Sequence, residues 1–143
     1  MKSRLIASGG EKTYVLIFET GDEFVFGLQS FAEENRLAGS HFTAIGAFQS
    51  ATLGYFDWQE RKYIPIEIRE QVEVLILAGD IALQDGKPKL HAHVVVGKRD
   101  GSAHGGHILK ASVRPTLEVV LSESPQHLRR VDDPDSGIAL IQL

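Results

Sequence analysis

Short apolar runs, broken by glycine and by polar turn residues, make up most of the hydrophobic pattern of this chain. Runs of about four to eight residues that alternate with polar positions, or that are rich in β-branched and aromatic side chains, are typical of β-strands. Segments of this kind are predicted as strands at Arg4–Ala7, Thr13–Phe18, His41–Phe56, Tyr63–Ile68, Val72–Leu83, Lys89–Gly97, Ile108–Val113, Thr116–Leu121 and Gly137–Leu143. The pattern therefore predicts a chain that is mostly β.

One segment between the second and third strands has the spacing of an amphipathic helix. Its apolar residues recur along one helical face: Phe24, Leu28, Phe31 and Ala32. Thr20 or Asp22 is expected to cap its start, and Gly39 is expected to mark its end. One helix among a majority of strands predicts an α+β domain, in which this principal helix packs on a mainly antiparallel β-sheet.

The middle of the chain contains the clearest hairpin. Val72–Leu83 is apolar on both faces, which predicts a central strand that is covered on each side. Asp85-Gly86 is the dipeptide most typical of a tight two-residue turn, because it accepts positive φ angles. The segment Lys89–Gly97 is therefore expected to lie antiparallel to this central strand.

Glycine and proline predict further irregularities in the sheet. Gly46 and Gly54 fall inside a predicted strand, where glycine commonly marks a bulge or a close backbone approach. Lys98–Gly106 is predicted as a loose connection. Pro115 is expected to separate the strand Ile108–Val113 from the strand Thr116–Leu121.

Composition and charge narrow the classes of protein that fit the chain. Its 143 residues are expected to form one domain, 1–143, with a hydrophobic core of its own. No apolar run reaches the ~20 residues of a membrane span, and the chain has no cysteine, so a soluble cytoplasmic protein is expected. Its 15 basic and 19 acidic residues leave a net charge of −4, which disfavours direct binding to nucleic acid.

Histidines on one predicted strand supply the candidate chemistry. His91 and His93 lie on the same strand face, because side chains alternate with a period of two, and their α-carbons should be ~7 Å apart. The opposite face is apolar and is expected to face the core: Leu90, Ala92, Val94 and Val96. His107 follows Gly105-Gly106, which would let the backbone fold close to the pair. Three histidines suit a divalent metal, with zinc the first choice.

The sequence also allows other interpretations of the histidines. His91 and His93 could be a half-buried polar pair with no ligand. His104 could compete with His107 as the third ligand, although its place in the predicted loop favours exposure. His41 and His127 have no local partners and are expected to lie on the surface.

Two acidic residues are candidate catalytic groups. Glu118 shares a strand face with apolar neighbours, so it could support the site or act as a general base, or it could pair with an arginine at a subunit contact. Asp80 lies in an apolar segment, where an unpaired carboxylate is costly to bury. It could therefore accept a hydrogen bond from a histidine ring, or satisfy a backbone turn or bulge.

The combination of these motifs resembles the PPC domain (plants and prokaryotes conserved), in the form that stands alone in prokaryotes. The similarity runs from about Ser3 to Leu121 and includes the helix that carries Phe31-Ala32. The matching motifs are Ile45-Gly46-Ala47, Leu53-Gly54-Tyr55-Phe56-Asp57, Gly79, Asp85-Gly86-Lys87-Pro88, His91-x-His93, Gly105-Gly106-His107 and Thr116-x-Glu118-Val119.

The resemblance implies an α+β fold that assembles as a homotrimer. It also implies that His91, His93 and His107 match the zinc-site histidines of some prokaryotic members. In plants the domain accompanies DNA-binding AT-hooks, but this chain has no Arg-Gly-Arg-Pro core of a hook. Its only Arg-Pro pair, Arg114-Pro115, lies between predicted strands.

The leading functional hypothesis is a homotrimeric module that binds a divalent metal or a small ligand, with a regulatory role. The first alternative is a zinc-dependent enzyme of hydrolase or lyase type, since three neutral histidines with an open position activate a bound water. Glu118 or Asp80 would then transfer the proton. The second alternative is a DNA-associated protein that acts through partners.

Overall fold

The computed structural model describes residues 1–143, which form nine strands and one helix. The elements are β1 (Lys2–Ala7), β2 (Lys12–Glu19), α1 (Phe24–Glu34), β3 (Gly39–Asp57), β4 (Lys62–Ile68), β5 (Val72–Gln84), β6 (Lys87–Gly97), β7 (Ala103–Glu123), β8 (Arg129–Asp132) and β9 (Ala139–Gln142). All strand pairs are antiparallel except β5 with β8. The predicted α+β architecture is confirmed. No helix is long and apolar enough to cross a membrane.

Strand β6 closes the sheet into a circuit. The order β7-β3-β5 is completed by β6, which pairs with both β5 and β7. The Asp85-Gly86 turn joins β5 to β6 as predicted, with φ angles of 50° and 77° at its two residues. A cluster of 27 buried residues fills the enclosed core, and the rings of Phe18, Phe24 and Phe42 are among its largest members. Each such ring contributes roughly 1.5–3 kcal/mol through burial.

Helix α1 begins and ends differently from the prediction. Glu23, rather than Thr20 or Asp22, caps its start, because the Glu23 Oε2 atom accepts a hydrogen bond of 2.6 Å from the Phe26 backbone N–H. Asp22 instead pairs at 2.6 Å with the terminal amino group of the chain. The helix ends at Glu34 with Asn35 as its C-cap, well before Gly39.

The helix lies against β6 and β7 and makes hydrogen bonds to both strands. The Gln29 side chain donates to the Pro88 carbonyl at 2.8 Å and accepts from the Leu90 N–H at 3.1 Å. Glu23 accepts a hydrogen bond of 2.8 Å from the Ala111 N–H of β7. The backbone groups of β6 and β7 that face α1 have no neighbouring strand there, and these bonds satisfy them. Helix α1 therefore covers the space where β6 and β7 separate.

The last long strand is more continuous than predicted. Strand β7 runs through Pro115, and the connection before it shortens to residues 98–102. The strand tolerates proline because its pairing with β3 is irregular between Val113 and Leu117, where no ladder hydrogen bond is needed from position 115. A bulge at Gly46 confirms the expected irregularity in β3, and Gly54 makes a close approach to β7.

One face of β5 is open in a single chain, which corrects the prediction that β5 is covered on both sides. Leu75 and Ile76 are 55% and 45% exposed, whereas the flanking Val74 and Leu77 are buried. The pairing of β5 with β6 is irregular between Val74 and Ile76, so two consecutive apolar side chains point outward. Strand β8 was not predicted, because its four residues have no apolar alternation.

Candidate metal centre

The strand register brings the three histidines to one place on the outer face of the sheet. His93 of β6 is paired with His107 of β7, and His91 is paired with Asp80 of β5. Ala92, on the opposite side of β6, is buried in the core as predicted. The period of two therefore places His91 and His93 together, and the pairing of β6 with β7 adds His107.

The ring nitrogens of the three histidines lie close together, and one pair of them has the spacing that a tetrahedral metal requires. One ring nitrogen from each of His91, His93 and His107 lies within 4.8 Å of the others. The Nε2 atoms of His91 and His93 are 3.3 Å apart. Zinc bonds of about 2.0–2.1 Å at tetrahedral angles place two ligand nitrogens about 3.3–3.4 Å apart. The residues present therefore fit a divalent metal held by three imidazoles.

His107 is kept neutral by its surroundings. Burial is the main cause that lowers its pKa from 6.5 to about 4, and His91 and His93 lower it further in the same direction. The ring stacks on Tyr63 with centroids 4.5 Å apart. Its Nδ1 atom is buried and has no hydrogen-bond partner. A neutral imidazole with an unpaired buried nitrogen is suited to coordinate a cation.

His91 contacts a partly buried ion pair. The Arg130 Nη2 group donates to Asp80 Oδ1 at 2.5 Å and lies 3.3 Å from His91 Nδ1. Burial, followed by the Arg130 charge, lowers the pKa of His91, while Asp80 opposes this shift. Arginine has no acceptor atom, so His91 Nδ1 accepts this contact and the neutral ring carries its proton on Nε2.

Metal binding through His91 Nε2 requires that proton to move to Nδ1. Asp80 Oδ2 lies 3.9 Å from Nδ1, which exceeds hydrogen-bond distance. Asp80 therefore acts on the ring through its charge, which opposes the lowering of the His91 pKa, and through the Arg130 group that contacts both residues.

The structure separates the remaining candidates from this cluster. Glu118 is exposed and lies eleven positions beyond His107 on β7, which is up to about 36 Å along an extended strand. It is not part of the cluster. His104 is three positions before His107 and is paired with Val96, so it lies on the opposite side of the strand. His41 and His127 are exposed, as predicted.

Three neighbours of the cluster were not singled out from the sequence. Arg130 is on β8, Tyr63 is on β4, and Lys89 is on β6. The charge of Lys89 lowers the pKa of His107, and burial raises that of Tyr63 while Arg130 opposes the rise. Their local sequences resemble ordinary surface strands, so no local signal distinguishes them.

The close approach of Gly106 to β3 positions His107. A Cβ atom at Gly106 would lie 2.8 Å from the Gly54 carbonyl oxygen, so one backbone would have to move. We expect Gly106→Ala to lower the free energy of unfolding by about 1–3 kcal/mol and to weaken metal binding. Chemical denaturation and metal titration measure the two effects.

Gly9→Ala is the matched control for this substitution, because no atom lies within 4 Å of a Cβ at Gly9. It should leave both quantities unchanged. Unaltered stability in Gly106→Ala would show that the two strands tolerate a wider spacing.

The lowered pKa of His107 predicts how the metal-free protein responds to acid. The unfolded chain takes up this proton near pH 6.5, but the folded chain takes it up only near about 4. Between these values the unfolded state binds more protons, so stability is lost as the pH falls from about 6.5 to about 4. The urea midpoint of the metal-free protein should therefore be lower at pH 5 than at pH 7.5.

His107→Gln should have a smaller decrease over the same pH range, since it removes the titrating group. Parallel pH profiles of the two proteins would contradict the assignment to His107. Protons compete with a metal for an ordinary histidine ring below about pH 6. At His107 the lowered pKa moves this competition to lower pH.

The fold and the comparison with family models together define a PCC-domain protein. The model of the Plants and Prokaryotes Conserved (PCC) domain, the family also abbreviated PPC, matches residues 6–125. The chain belongs to this family, which confirms the resemblance found in its motifs. None of the curated proteins matches it in sequence.

Solved structures support the same assignment. A plant- and prokaryote-conserved protein from Pyrococcus horikoshii is 27% identical, with a TM-score of 0.85 over 92% of this chain and 91% of the other. A metal-containing protein from Archaeoglobus fulgidus is 33% identical, with a TM-score of 0.83 over 100% of both chains. A protein from Ralstonia eutropha JMP134, named "putative DNA-binding protein", is 30% identical, with a TM-score of 0.84 over 91% and 90%.

Proposed function

We propose that this PCC-domain protein is a homotrimer in which His91, His93 and His107 hold a divalent metal, with zinc preferred. The observation that carries the proposal is the 3.3 Å separation of the His91 and His93 Nε2 atoms, with a nitrogen of His107 in the same cluster. The similar protein from Archaeoglobus fulgidus is described as metal-containing, which supports the proposal.

The donor set favours zinc and leaves room for a ligand. Imidazole nitrogens suit zinc, copper, nickel and iron(II), whereas calcium and magnesium prefer oxygen donors. Three protein ligands leave a tetrahedral ion one position for a small molecule. A bound zinc would act there as a Lewis acid, and the charge of Asp80, which is paired with His91 across β5 and β6, would lie beside the ligand ring.

The homotrimer is supported by an apolar patch on the outer face of the sheet. The outer-face patch consists of Ile45, Leu75, Ile76, Val95 and Val120, which are all more than a third exposed. Ile76 is paired with Val95, and Ile45 lies beside the irregular part of β5. A contiguous exposed apolar surface commonly marks a protein interface. The patch lies on the same side of β6 as His93, so a partner chain would approach the histidine cluster.

Elemental analysis of the purified protein tests the metal proposal. After growth in medium with zinc and dialysis against metal-free buffer, we expect about one zinc per chain. Removal by a chelator should lower the thermal midpoint, because an ion that binds only the folded state stabilises it. Zinc should then restore the midpoint. A protein with no metal, and with the same midpoint in zinc and in chelator, would contradict the proposal.

Direct DNA binding is expected to be negligible, despite the name of the Ralstonia eutropha relative. The net charge of −4 leaves no overall excess of basic groups to displace phosphate counterions. Titration of a labelled duplex at about 150 mM salt should give no saturable binding below micromolar protein concentrations. Tight binding that weakens steeply as salt rises would show that a local basic surface outweighs the net charge.

A further inference from the structure

A cavity opens beside the histidine cluster, at the point where two strands separate. His93 and His107 are the last residues through which β6 and β7 pair with each other. Beyond them β7 turns to pair with β3, while β6 continues along β5. The resulting cavity has a volume of about 460 Å³, with α1 at one side and the β8–β9 hairpin at the other. This volume lies in the usual range for small-molecule sites.

Two residues of the cavity lining each have a buried polar atom with no hydrogen-bond partner. The atoms are His107 Nδ1 and Arg130 Nε, and both are buried beneath the cavity surface. The Arg130 side chain is only 7% exposed, and its other nitrogens donate to Asp80 and to the Ala139 carbonyl. Arg130 therefore keeps its positive charge directly beneath the cavity wall, where the charge is only partly offset by Asp80.

The charge and polarity of the lining define the class of ligand. Lys89 is exposed at the cavity and has no acidic partner within salt-bridge distance, and a metal on the histidines would add two positive charges. Asp132 is the acidic residue in the lining, and it accepts a hydrogen bond of 3.2 Å from Gln84. More than half of the lining is apolar, including Leu109 of β7 and Leu140 of β9. A positive end next to an apolar wall suits an amphipathic anion.

We infer that this cavity binds a small organic carboxylate. Its charged end lies toward Lys89, Arg130 and the metal, and its apolar body lies against Leu109 and Leu140. The inference rests on the proposed metal site for part of the positive charge, and it names the ligand class of that site. Charge-assisted hydrogen bonds to arginine and lysine are the strong contacts for such an anion, and the apolar wall discriminates against inorganic anions.

Calorimetric titration with hexanoate tests the inference. Zinc-loaded protein should bind hexanoate at least tenfold more tightly than hexanol, hexylamine or inorganic phosphate. Lys89→Gln should weaken hexanoate binding about tenfold, and Leu140→Asp should abolish it by placing a carboxylate against the ligand. Lys87→Gln, which removes a lysine outside the lining, should bind like the wild type. Arg130→Gln should also weaken binding, but the exposed Lys89 and Leu140 keep the test valid if that variant fails to fold.

The same samples separate this inference from the metal proposal. Zinc retained at one per chain with no preference for hexanoate would overturn the inference and leave the metal proposal intact. Hexanoate selectivity in a protein that holds no metal would contradict the metal proposal and support the cavity assignment. Binding that is equal in wild type, Lys89→Gln and Leu140→Asp would overturn the inference.

Discussion

His93→Ala should weaken zinc binding by more than about 100-fold while the fold persists. Loss of a residue that merely orients a metal ligand costs about 10–100-fold in affinity, so loss of a ligand should cost more. His93 is exposed, and its neighbours on β6 that fill the core are unaltered, so packing is preserved. The measurement is a competition titration with a zinc chelator, together with circular dichroism. His91→Ala and His107→Ala should behave in the same way.

His104→Ala and His127→Ala are the controls, because both residues lie outside the cluster. Each should retain the wild-type zinc affinity. Stoichiometric zinc in His93→Ala would rule out the proposed three-histidine site. His91 and His93 would then be an ordinary exposed polar pair.

Ile76→Asp should convert a homotrimer into monomers. Ile76 is 45% exposed in one chain and lies at the middle of the outer-face patch, opposite Val95. A carboxylate buried at this point of each contact would be unpaired and close to its symmetry mates, which costs several kcal/mol per interface. Light scattering should give about three times 15.7 kDa for the wild type and about 15.7 kDa for the variant.

Ile76→Leu keeps the apolar character of the position and should remain trimeric, so it controls for the substitution itself. Circular dichroism should be the same for Ile76→Asp and the wild type, because the side chain is outside the core. A wild-type mass near that of one chain at micromolar concentration would contradict the trimer proposal directly.

Local chemistry determined several features that the structure confirms. Alternation along β6 places His91 and His93 on one face and Ala92 in the core. The Asp85-Gly86 turn joins β5 to β6 because both of its residues adopt positive φ angles. These features depend on residues within a few positions of each other, where the period of two and the turn preferences act directly.

Local patterns were insufficient where a distant group made the deciding contact. Thr20 and Asp22 were both acceptable helix caps, but Glu23 caps α1 because its second oxygen also accepts from Ala111 on β7. Pro115 breaks most strands, yet β7 continues through it because the β3 pairing is irregular there. In both cases a contact distant in sequence changed the outcome.

The sequence by itself determined which histidines could share a strand face, and hence the pair His91 and His93. Only the tertiary structure decided between His107 and His104 as the third histidine of the cluster. The register of β7 against β6 places His107 opposite His93 and turns His104 to the other side of the strand. The tertiary structure also brought Arg130 to Asp80 and His91 from a separate strand near the end of the chain. The physical reason is that side-chain direction follows from local backbone geometry, whereas register and strand neighbours follow from burial of the whole core.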